Sequence, residues 1–269
     1  MAARSDRTQG SSGIPDSDGV RGSDDAPLHP SLLVESQLAR RGFDLVVGFD
    51  EVGRGALAGP VMVGAAALRT RDLPGLRIPE GLEDSKLLTA HRREALAGPL
   101  HDWCAAVAVG QADNHEIDDW GIQYALGVAA LRALRALELE LGLGAHAGLS
   151  VAGILDGPYD YITRARDSFD APEVPVPAEI VTVVKGDRRC ACVSAASVVA
   201  KVTRDRLMVS LAKGNPRYEP YGWASNKGYG SASHRAAIAR LGPTPLHRVS
   251  WHLADGDWTE GRPRQRDPR

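Results

Sequence analysis

Hydrophobic residues along the chain form short runs that alternate with polar and glycine-rich segments. Five of these runs predict β-strands, because each is short, rich in small apolar or β-branched residues and bounded by turn formers. The predicted strands cover residues 44–50, 61–68, 104–111, 149–155 and 179–184. Since a glycine-rich bend joins the first two, the chain is expected to begin as an antiparallel meander.

A second pattern has the spacing of helices. Apolar residues recur on one stripe of residues 121–142, which predicts a long amphipathic helix between the third and fourth strands. The stripe consists of Leu126, Ala130, Leu134 and Leu137. A short helix is expected over residues 31–41, and from Ser194 onward the chain reads as helices and loops. The pattern therefore predicts an α/β fold, a five-stranded mixed sheet flanked by helices, with a C-terminal helical appendage.

Polar segments border this unit at both ends. Residues 1–29 consist largely of Ser, Gly, Asp and Arg, and residues 257–269 are similarly polar, so neither can bury enough apolar surface to offset the entropy of ordering. We expect two disordered tails around one domain over residues 30–256, whose part from about residue 194 is helical.

Composition narrows the class of protein. The chain has 269 residues, 43% of them hydrophobic, and a net charge of -2, so no overall basic field indicates nucleic acid. Three cysteines without a CxxC pair predict neither a disulfide framework nor a zinc site, and fit a reducing compartment. Without a signal-like start or an apolar run of membrane length, a soluble cytoplasmic protein is expected.

Acidic residues stand where predicted strands end. Asp50 and Glu51 close the first strand, before a bend containing Gly53 and Gly55, and Asp156 closes the fourth. Phosphodiester hydrolysis with two divalent ions needs several carboxylates that converge on cations about 3.5–4 Å apart. Asp205 is a further candidate, because Ser197, Lys201 and Asp205 follow one face of a predicted helix.

Each acid also has an ordinary explanation. Asp156 before glycine is a common turn former, and Lys201 with Asp205 has the spacing of a helix ion pair. Asp50 and Glu51 are neighbours, and neighbours on an ideal strand point to opposite faces, so both reach one site only if the strand bends. The joint occurrence of these acids with the glycine bend favours a metal site.

The motifs that carry these residues resemble those of bacterial ribonuclease HII. The resemblance runs from about Asp44 to Trp251. In chain order the matching segments are GFDEVGRGALAGPV around Asp50, DSK at Asp84-Ser85-Lys86, LDGP around Asp156, VSAASVVAKVTRDRLM around Lys201 and NKGYG around Tyr229.

The resemblance implies a ribonuclease H-like fold and a specific reaction. Members cut the RNA strand of RNA/DNA hybrids and incise DNA duplexes 5′ of an embedded ribonucleotide, leaving 3′-hydroxyl and 5′-phosphate ends, in ribonucleotide and primer removal. By position, the resemblance assigns two Mg²⁺ or Mn²⁺ ions to Asp50, Glu51, Asp156 and Asp205. It assigns reading of the 2′-hydroxyl to Gly53, Arg54 and Gly55, and packing on the following sugar to Tyr229.

Basic residues supply the remaining substrate contacts. Residues 185–251 contain twelve Lys and Arg against three Asp and Glu, a local excess of nine positive charges that suits a phosphate backbone. Further substrate-binding candidates are Lys86, Lys185, Ser194 and Lys201. The expected partners are RNA/DNA hybrids and DNA duplexes with embedded ribonucleotides, and the protein is expected to be a monomer with no membrane partner.

Two positions depart from the family pattern, and three other functions stay open. Trp251 stands where phenylalanine is common, and Leu87 stands where a second lysine follows DSK. Neither position is one of the four acids. The alternatives are a ribonuclease HIII, whose folded N-terminal domain the polar first residues cannot form, a non-catalytic hybrid-binding module, and a hydrolase of small phosphate esters.

Overall fold

The computed structural model describes residues 29–83, 85–144, 148–168 and 171–253. The two predicted tails, apart from His29, lie outside these residues, as does Asp84 of the DSK motif. The bounds predicted for the domain stay a prediction.

Five strands form one mixed sheet. They are β1 (Leu45–Val52), β2 (Val61–Arg69), β3 (Ala106–Ala112), β4 (Val151–Asp156) and β5 (Glu179–Val183). Their order across the sheet is β3-β2-β1-β4-β5. β1, β2 and β3 are antiparallel, whereas β1, β4 and β5 run parallel to one another. The predicted strands and the mixed five-stranded sheet are confirmed, with strand ends shifted by at most two residues.

Eight α-helices surround the sheet in the described ranges. They are α1 (Leu33–Arg40), α2 (Ala90–Trp103), α3 (Asn114–Trp120), α4 (Ile122–Glu140), α5 (Tyr161–Arg166), α6 (Ala191–Gly214), α7 (Trp223–Asn226) and α8 (Ala232–Leu241). The predicted helices at 31–41 and 121–142 and the helical C-terminal part are confirmed. Within the described ranges, no helix is both long enough and apolar enough to span a membrane.

Three helices, α2, α3 and α5, were not expected from the apolar pattern. Their starts carry local signals instead, because a side chain caps the first free N–H groups of each. Thr89 accepts a hydrogen bond from Arg92, Asp113 forms a capping box with Glu116, and Asp160 caps α5. Capping residues therefore mark these helices better than hydrophobic periodicity does.

The two faces of β1 pack against different helices. Val47 and Phe49 belong to one core cluster with Leu126 of α4, and Val46 belongs to another with Val193 of α6. Alternate residues of a strand point to opposite faces. Asp50 therefore continues the face that α6 covers, and Glu51 continues the opposite face.

Helix α6 lies unusually close to the sheet. A Cβ atom placed on Gly48 of β1 would overlap the backbone of Cys192 and Val193, and one on Gly64 of β2 would overlap the carbonyl of Ala196. Small residues at these two positions let the helix backbone approach the strands directly. This contact fixes the distance between the α6 backbone and the sheet, and therefore how far each α6 side chain reaches over β1 and β2.

The sequence suggested that the first strand ends at its acids, but β1 continues to Val52. β1 pairs with β2 through Asp50↔Gly64 and on to Val52↔Met62, whereas its pairing with β4 stops at Phe49↔Leu155. The ladder to β2 supplies hydrogen-bond partners for the extra residues. Beyond Phe49 the sheet is therefore open between β1 and β4.

We predict that Gly48→Ala lowers the free energy of unfolding by about 2–3 kcal/mol, because the added methyl group forces α6 away from β1. Urea unfolding of the purified variant measures this change. Gly214→Ala is the matched control, since a Cβ there meets nothing within 4 Å, and it should alter stability by at most about 0.5 kcal/mol. Equal losses in the two variants would contradict the close-approach argument.

Candidate active site

Asp50 and Glu51 keep opposite faces of β1 and are held by different helices. Asp50 is only 4% exposed and lies near the Ser197 hydroxyl of α6, which is itself hydrogen bonded to Ser85 (2.7 Å). The Glu51 side chain accepts a hydrogen bond from the Tyr161 hydroxyl of α5 (3.2 Å) and another from Arg54 (3.2 Å). The sequence analysis required the strand to bend for both acids to reach one site. Instead, Asp50 and Glu51 both border the open edge of the sheet between β1 and β4.

The acids at this opening influence one another. Burial raises the pKa of Asp50 well above its ordinary value; the Ser197 hydroxyl lowers it in part, and the charges of Glu51 and Asp156 raise it further. Burial also raises the pKa of Tyr161 well above its ordinary value, and the charge of Glu51 adds to that shift. The opening therefore concentrates negative charge in a poorly hydrated place.

Asp156 ends β4, as predicted, and a second acid lies beside it. The Asp156 carboxylate accepts a hydrogen bond from the Gly186 N–H group (2.7 Å). Burial raises its pKa, and the charge of Asp187 is the next largest cause. The Asp187 side chain is only 5% exposed and accepts a hydrogen bond from Lys86 (3.1 Å).

Asp187 is a candidate that the sequence reasoning missed. It follows β5 closely, in the 3₁₀ turn Gly186–Arg188. Because β1, β4 and β5 run parallel, their carboxyl ends share one edge of the sheet, and each end carries an acid. The rule that selected Asp156, an acid just beyond a strand and beside glycine, applied equally to Lys185-Gly186-Asp187.

The structure does not bring Asp205 to this group. Its carboxylate pairs with Lys201 (2.6 Å) and lies 3.9 Å from Arg93 of α2. Ser197, which contacts Asp50, precedes Asp205 by two helical turns, about 12 Å along the α6 axis. Ser197, Lys201 and Asp205 do share a helix face, but only Ser197 reaches the carboxylates.

The donor set fits a hard divalent cation in its chemistry. Carboxylate oxygens are the preferred ligands of Mg²⁺ and Mn²⁺, and the four carboxylates of Asp50, Glu51, Asp156 and Asp187 border the opening. In the described ranges, however, no three His, Cys, Asp or Glu side chains already converge as a metal cluster. A bound cation would have to draw these carboxylates together and would relieve their mutual repulsion.

The glycine bend and Tyr229 form one unit. Gly53 has φ +82°, which favours glycine, and its N–H group donates to the Tyr229 hydroxyl (3.1 Å). Ala56 and Tyr229 form an isolated antiparallel bridge. The ring of Tyr229 lies 5.4 Å from the Arg204 guanidinium carbon. The structure thus joins two segments that are far apart in sequence.

The four weaker substrate-binding candidates occupy different environments. The Lys86 side chain is 71% exposed at the acids, and Lys185 is exposed just after β5. Ser194 is fully buried and donates its hydroxyl to the Glu83 carbonyl (2.9 Å). Ser194 is thus a packing residue in this arrangement and not a surface contact, contrary to the sequence expectation.

Lys201, the fourth of these candidates, lies between Asp205 and Tyr229. Besides its ion pair with Asp205, its ammonium nitrogen is 5.9 Å from the centre of the Tyr229 ring. It is therefore near the bend, though its charge is already partly neutralised.

The basic segment presents less charge to solvent than its sequence suggests. Arg204 and Arg248 are both fully buried, and their guanidinium groups donate to backbone carbonyls around the bend. Burial lowers the pKa of Arg248 to about 9, with Arg204 as the next cause. These two arginines cannot contact phosphates directly, which corrects the expectation for the segment.

Behind Tyr229 lies a buried pair of histidines. The Thr244 N–H group donates to His247 Nδ1 (2.8 Å), so the His247 proton is on Nε2, which faces His234 Nε2 (3.1 Å). His234 Nδ1 in turn lies 2.9 Å from the Tyr229 carbonyl, to which it donates. Both rings are neutral in this arrangement. Burial lowers the pKa of His234 and lowers that of His247 to about 3.

The fold and this edge of acids define a ribonuclease H-like α/β protein. A crystal structure of ribonuclease H2 from Pyrococcus horikoshii OT3 superposes with a TM-score of 0.58 at 27% identity, covering 78% of this chain and 94% of that one. Bst ribonuclease HIII, solved in complex with Mn²⁺, has a TM-score of 0.60 at 21% identity, covering 81% and 71%, which supports the fold alone.

Sequence comparison gives the family. The family model for Ribonuclease HII matches residues 47–254. The Ribonuclease HII of Streptomyces avermitilis is 44% identical over 227 residues, 84% of this chain and 85% of the relative. That of Cereibacter sphaeroides strain KD131 is 43% identical over 222 residues, 82% and 91%. The chain belongs to the ribonuclease HII family, and it is accordingly an endonuclease of the ribonuclease H class.

We predict that the histidine pair makes the protein less stable in acid. A histidine whose pKa is lowered by folding contributes stability that is present above pH 6.5 and is lost as the pH falls toward about 3. Urea unfolding between pH 7 and pH 4.5 should show a loss on the order of 1 kcal/mol per pH unit that His247→Gln largely removes. The exposed His91 on α2 provides the control variant, His91→Gln, and a slope unchanged by His247→Gln would contradict the prediction.

Proposed function

We propose that this chain hydrolyses the RNA strand of RNA/DNA hybrids and incises DNA duplexes on the 5′ side of embedded ribonucleotides. The observation that carries this proposal is the shared edge of three parallel strands. Acids lie at or just beyond the carboxyl ends of β1, β4 and β5 there, and β1 leads directly into the bend that binds Tyr229. Membership of the ribonuclease HII family supports the same substrate class.

We propose Mg²⁺ or Mn²⁺, two ions during catalysis, held by Asp50, Glu51, Asp156 and Asp187. Asp187 replaces Asp205 in this proposal, because Asp187 is buried beside Asp156 whereas Asp205 is paired with Lys201. When bound, such ions activate water and stabilise the leaving oxygen of the phosphodiester, leaving 3′-hydroxyl and 5′-phosphate ends.

The chain's own groups orient these carboxylates. Ser197 lies near Asp50 on the α6 side, and the Tyr161 hydroxyl donates a hydrogen bond to Glu51 on the α5 side. The ammonium group of Lys86 faces Asp187 and is exposed enough to meet a substrate phosphate as well. Each acid is thereby fixed by a different neighbouring element.

Sugar recognition belongs to the bend. The 2′-hydroxyl is both donor and acceptor, and it is the group that separates RNA from DNA at one nucleotide. The Gly53 N–H group is already bonded to Tyr229, whereas Arg54 and Gly55 are exposed. We therefore assign the 2′-hydroxyl to the backbone of Arg54 and Gly55, beside Gly53, and the following sugar to the Tyr229 ring.

The other functions fit less well. A non-catalytic hybrid-binding module has no need of buried acids at three strand ends, and a hydrolase of small phosphate esters has no use for the bend with Tyr229. The family model for Ribonuclease HII matches residues 47–254, which favours that family over ribonuclease HIII. A monomeric state, a cytoplasmic location and a role in DNA repair stay predictions.

We predict that Asp50→Asn abolishes incision of a DNA duplex containing one ribonucleotide while binding persists. The substitution removes a negative charge from the metal site but leaves the nucleic-acid-binding surface unchanged. Asp187→Asn should lower incision roughly a hundredfold or more, and Asp205→Asn less than tenfold. Gel assays with Mg²⁺ or Mn²⁺, and with EDTA as control, measure the rates.

Two results would overturn parts of this assignment. Undiminished cutting by Asp50→Asn, or cutting in EDTA, would exclude the metal-dependent site. Normal cutting by Asp187→Asn together with inactive Asp205→Asn would restore Asp205 as the fourth ligand.

We predict that Tyr229→Ala lowers cutting at a single ribonucleotide about tenfold and lowers cutting of a uniform hybrid less, since only the first substrate has an RNA-to-DNA junction for the ring to recognise. Initial rates on both substrates give the ratio. Tyr229→Phe, which keeps the ring, is the matched variant and should lose less than Tyr229→Ala. Equal losses on the two substrates would count against a junction role.

A further inference from the structure

Arg248 lies fully buried directly behind the glycine bend. Its Nη2 donates to the Gly53 carbonyl (2.7 Å) and its Nη1 to the Arg54 carbonyl (2.8 Å). The Gly59 carbonyl accepts from Nε (3.2 Å) and from Nη2 (3.1 Å). The guanidinium group therefore holds both ends of the bend with one rigid fork.

These contacts fix the direction of two peptide units. In a trans peptide the C=O and the following N–H point in opposite directions. Because the Gly53 carbonyl points inward to Arg248, the Arg54 N–H points outward, and the inward Arg54 carbonyl likewise turns the Gly55 N–H outward. Arg54 and Gly55 are exposed, and within the described ranges no group accepts a hydrogen bond from either N–H.

The charge of Arg248 strengthens the same two donors. A cation bonded to a carbonyl polarises that peptide, and its N–H becomes a stronger donor, more so at a buried position. The guanidinium also lies 4.9 Å from the centre of the Trp251 ring, which covers it. The bend thus presents two adjacent N–H groups on its exposed side, away from Arg248.

Arg204 is a natural comparison, since it is equally buried but binds other carbonyls. Its Nε donates to Pro60 (2.9 Å), its Nη1 to Lys227 (2.9 Å) and its Nη2 to Ala58 (3.1 Å). It therefore joins the far end of the bend to the Tyr229 loop. It packs against Gly53 but donates no hydrogen bond to the carbonyls of Gly53 or Arg54.

We propose that Arg248 is a positioning residue for ribose selection: by binding the carbonyls of Gly53 and Arg54 it aims the N–H groups of Arg54 and Gly55 at the 2′-oxygen of the substrate. This inference rests on the proposed function. It assigns the preference for a ribonucleotide to a buried cation that does not touch the substrate.

Binding in EDTA tests the proposal without cleavage. Fluorescence anisotropy gives Kd for a DNA duplex with one ribonucleotide and for the all-DNA duplex of the same sequence, and the ratio of the two measures ribose selection. Arg248→Lys, which keeps the charge but loses the fork, should lower this ratio about tenfold by misdirecting two hydrogen bonds. Leu137→Ala, a fully buried core substitution on α4, should keep the ratio within about twofold while lowering the melting temperature to a similar extent.

A merely structural role would give a different result. Loss of folding weakens both complexes together, so the ratio would stay at the wild-type value in Arg248→Lys, and that outcome overturns the proposal. An equal fall of the ratio in Leu137→Ala overturns it as well. If the wild-type protein itself has a ratio near one, the proposed sugar recognition fails, and the role of Arg248 fails with it.

A second pair of variants decides the matter if Arg248→Lys does not fold. Gly55→Pro removes one outward N–H group without touching Arg248, and Gly55→Ala keeps it, with nothing within 4 Å of the added Cβ. The ratio should fall several-fold more in Gly55→Pro than in Gly55→Ala. Equal ratios in the two variants would show that this N–H does not read the sugar.

Discussion

The close contact of α6 with β1 and β2 is the constraint on which the site depends. Gly48 and Gly64 let the helix backbone touch the strands, so its side chains reach the sheet edge at fixed heights. Ser197 then meets Asp50, and two turns further on Arg204 meets the bend. Helix α6 therefore sets the distance between the acids and the segment proposed to read the sugar.

The same geometry explains why acids at this edge stay buried. β1 extends beyond its pairing with β4, so Asp50 and Glu51 line an opening in the sheet instead of a smooth surface. α6 covers one side of the opening and Tyr161 covers the other. Poor hydration raises the pKa of Asp50. A bound cation would offset the cost of burying several carboxylates next to one another.

Much of this could be predicted from sequence, because the signals were local. The five apolar runs gave the strands, the stripe on α4 gave its helix, and the resemblance to ribonuclease HII pointed to the family that the comparisons confirm. Asp187 was open to the same local rule that selected Asp156. The position of Asp205 was different, because it depends on where α6 lies in the assembled fold.

The buried arginines were harder still to anticipate. In sequence, Arg204 and Arg248 look like other members of a basic segment, and nothing in their spacing distinguishes a side chain facing phosphate from one facing inward. Their role is visible only where three segments meet, residues 53–60, 227–230 and 246–248.

Charge is arranged in layers at this meeting point. Carboxylates border the opening, an exposed pair of peptide N–H groups lies beside them, and a buried guanidinium lies behind those. A scissile phosphate with an adjacent 2′-hydroxyl needs cations on one side and hydrogen-bond donors on the other. Since Glu51 and Arg54 are separated by only three peptide bonds, an error in the bend displaces the sugar relative to the acids. In the proposed function, rigidity behind the bend therefore serves catalysis as well as selection.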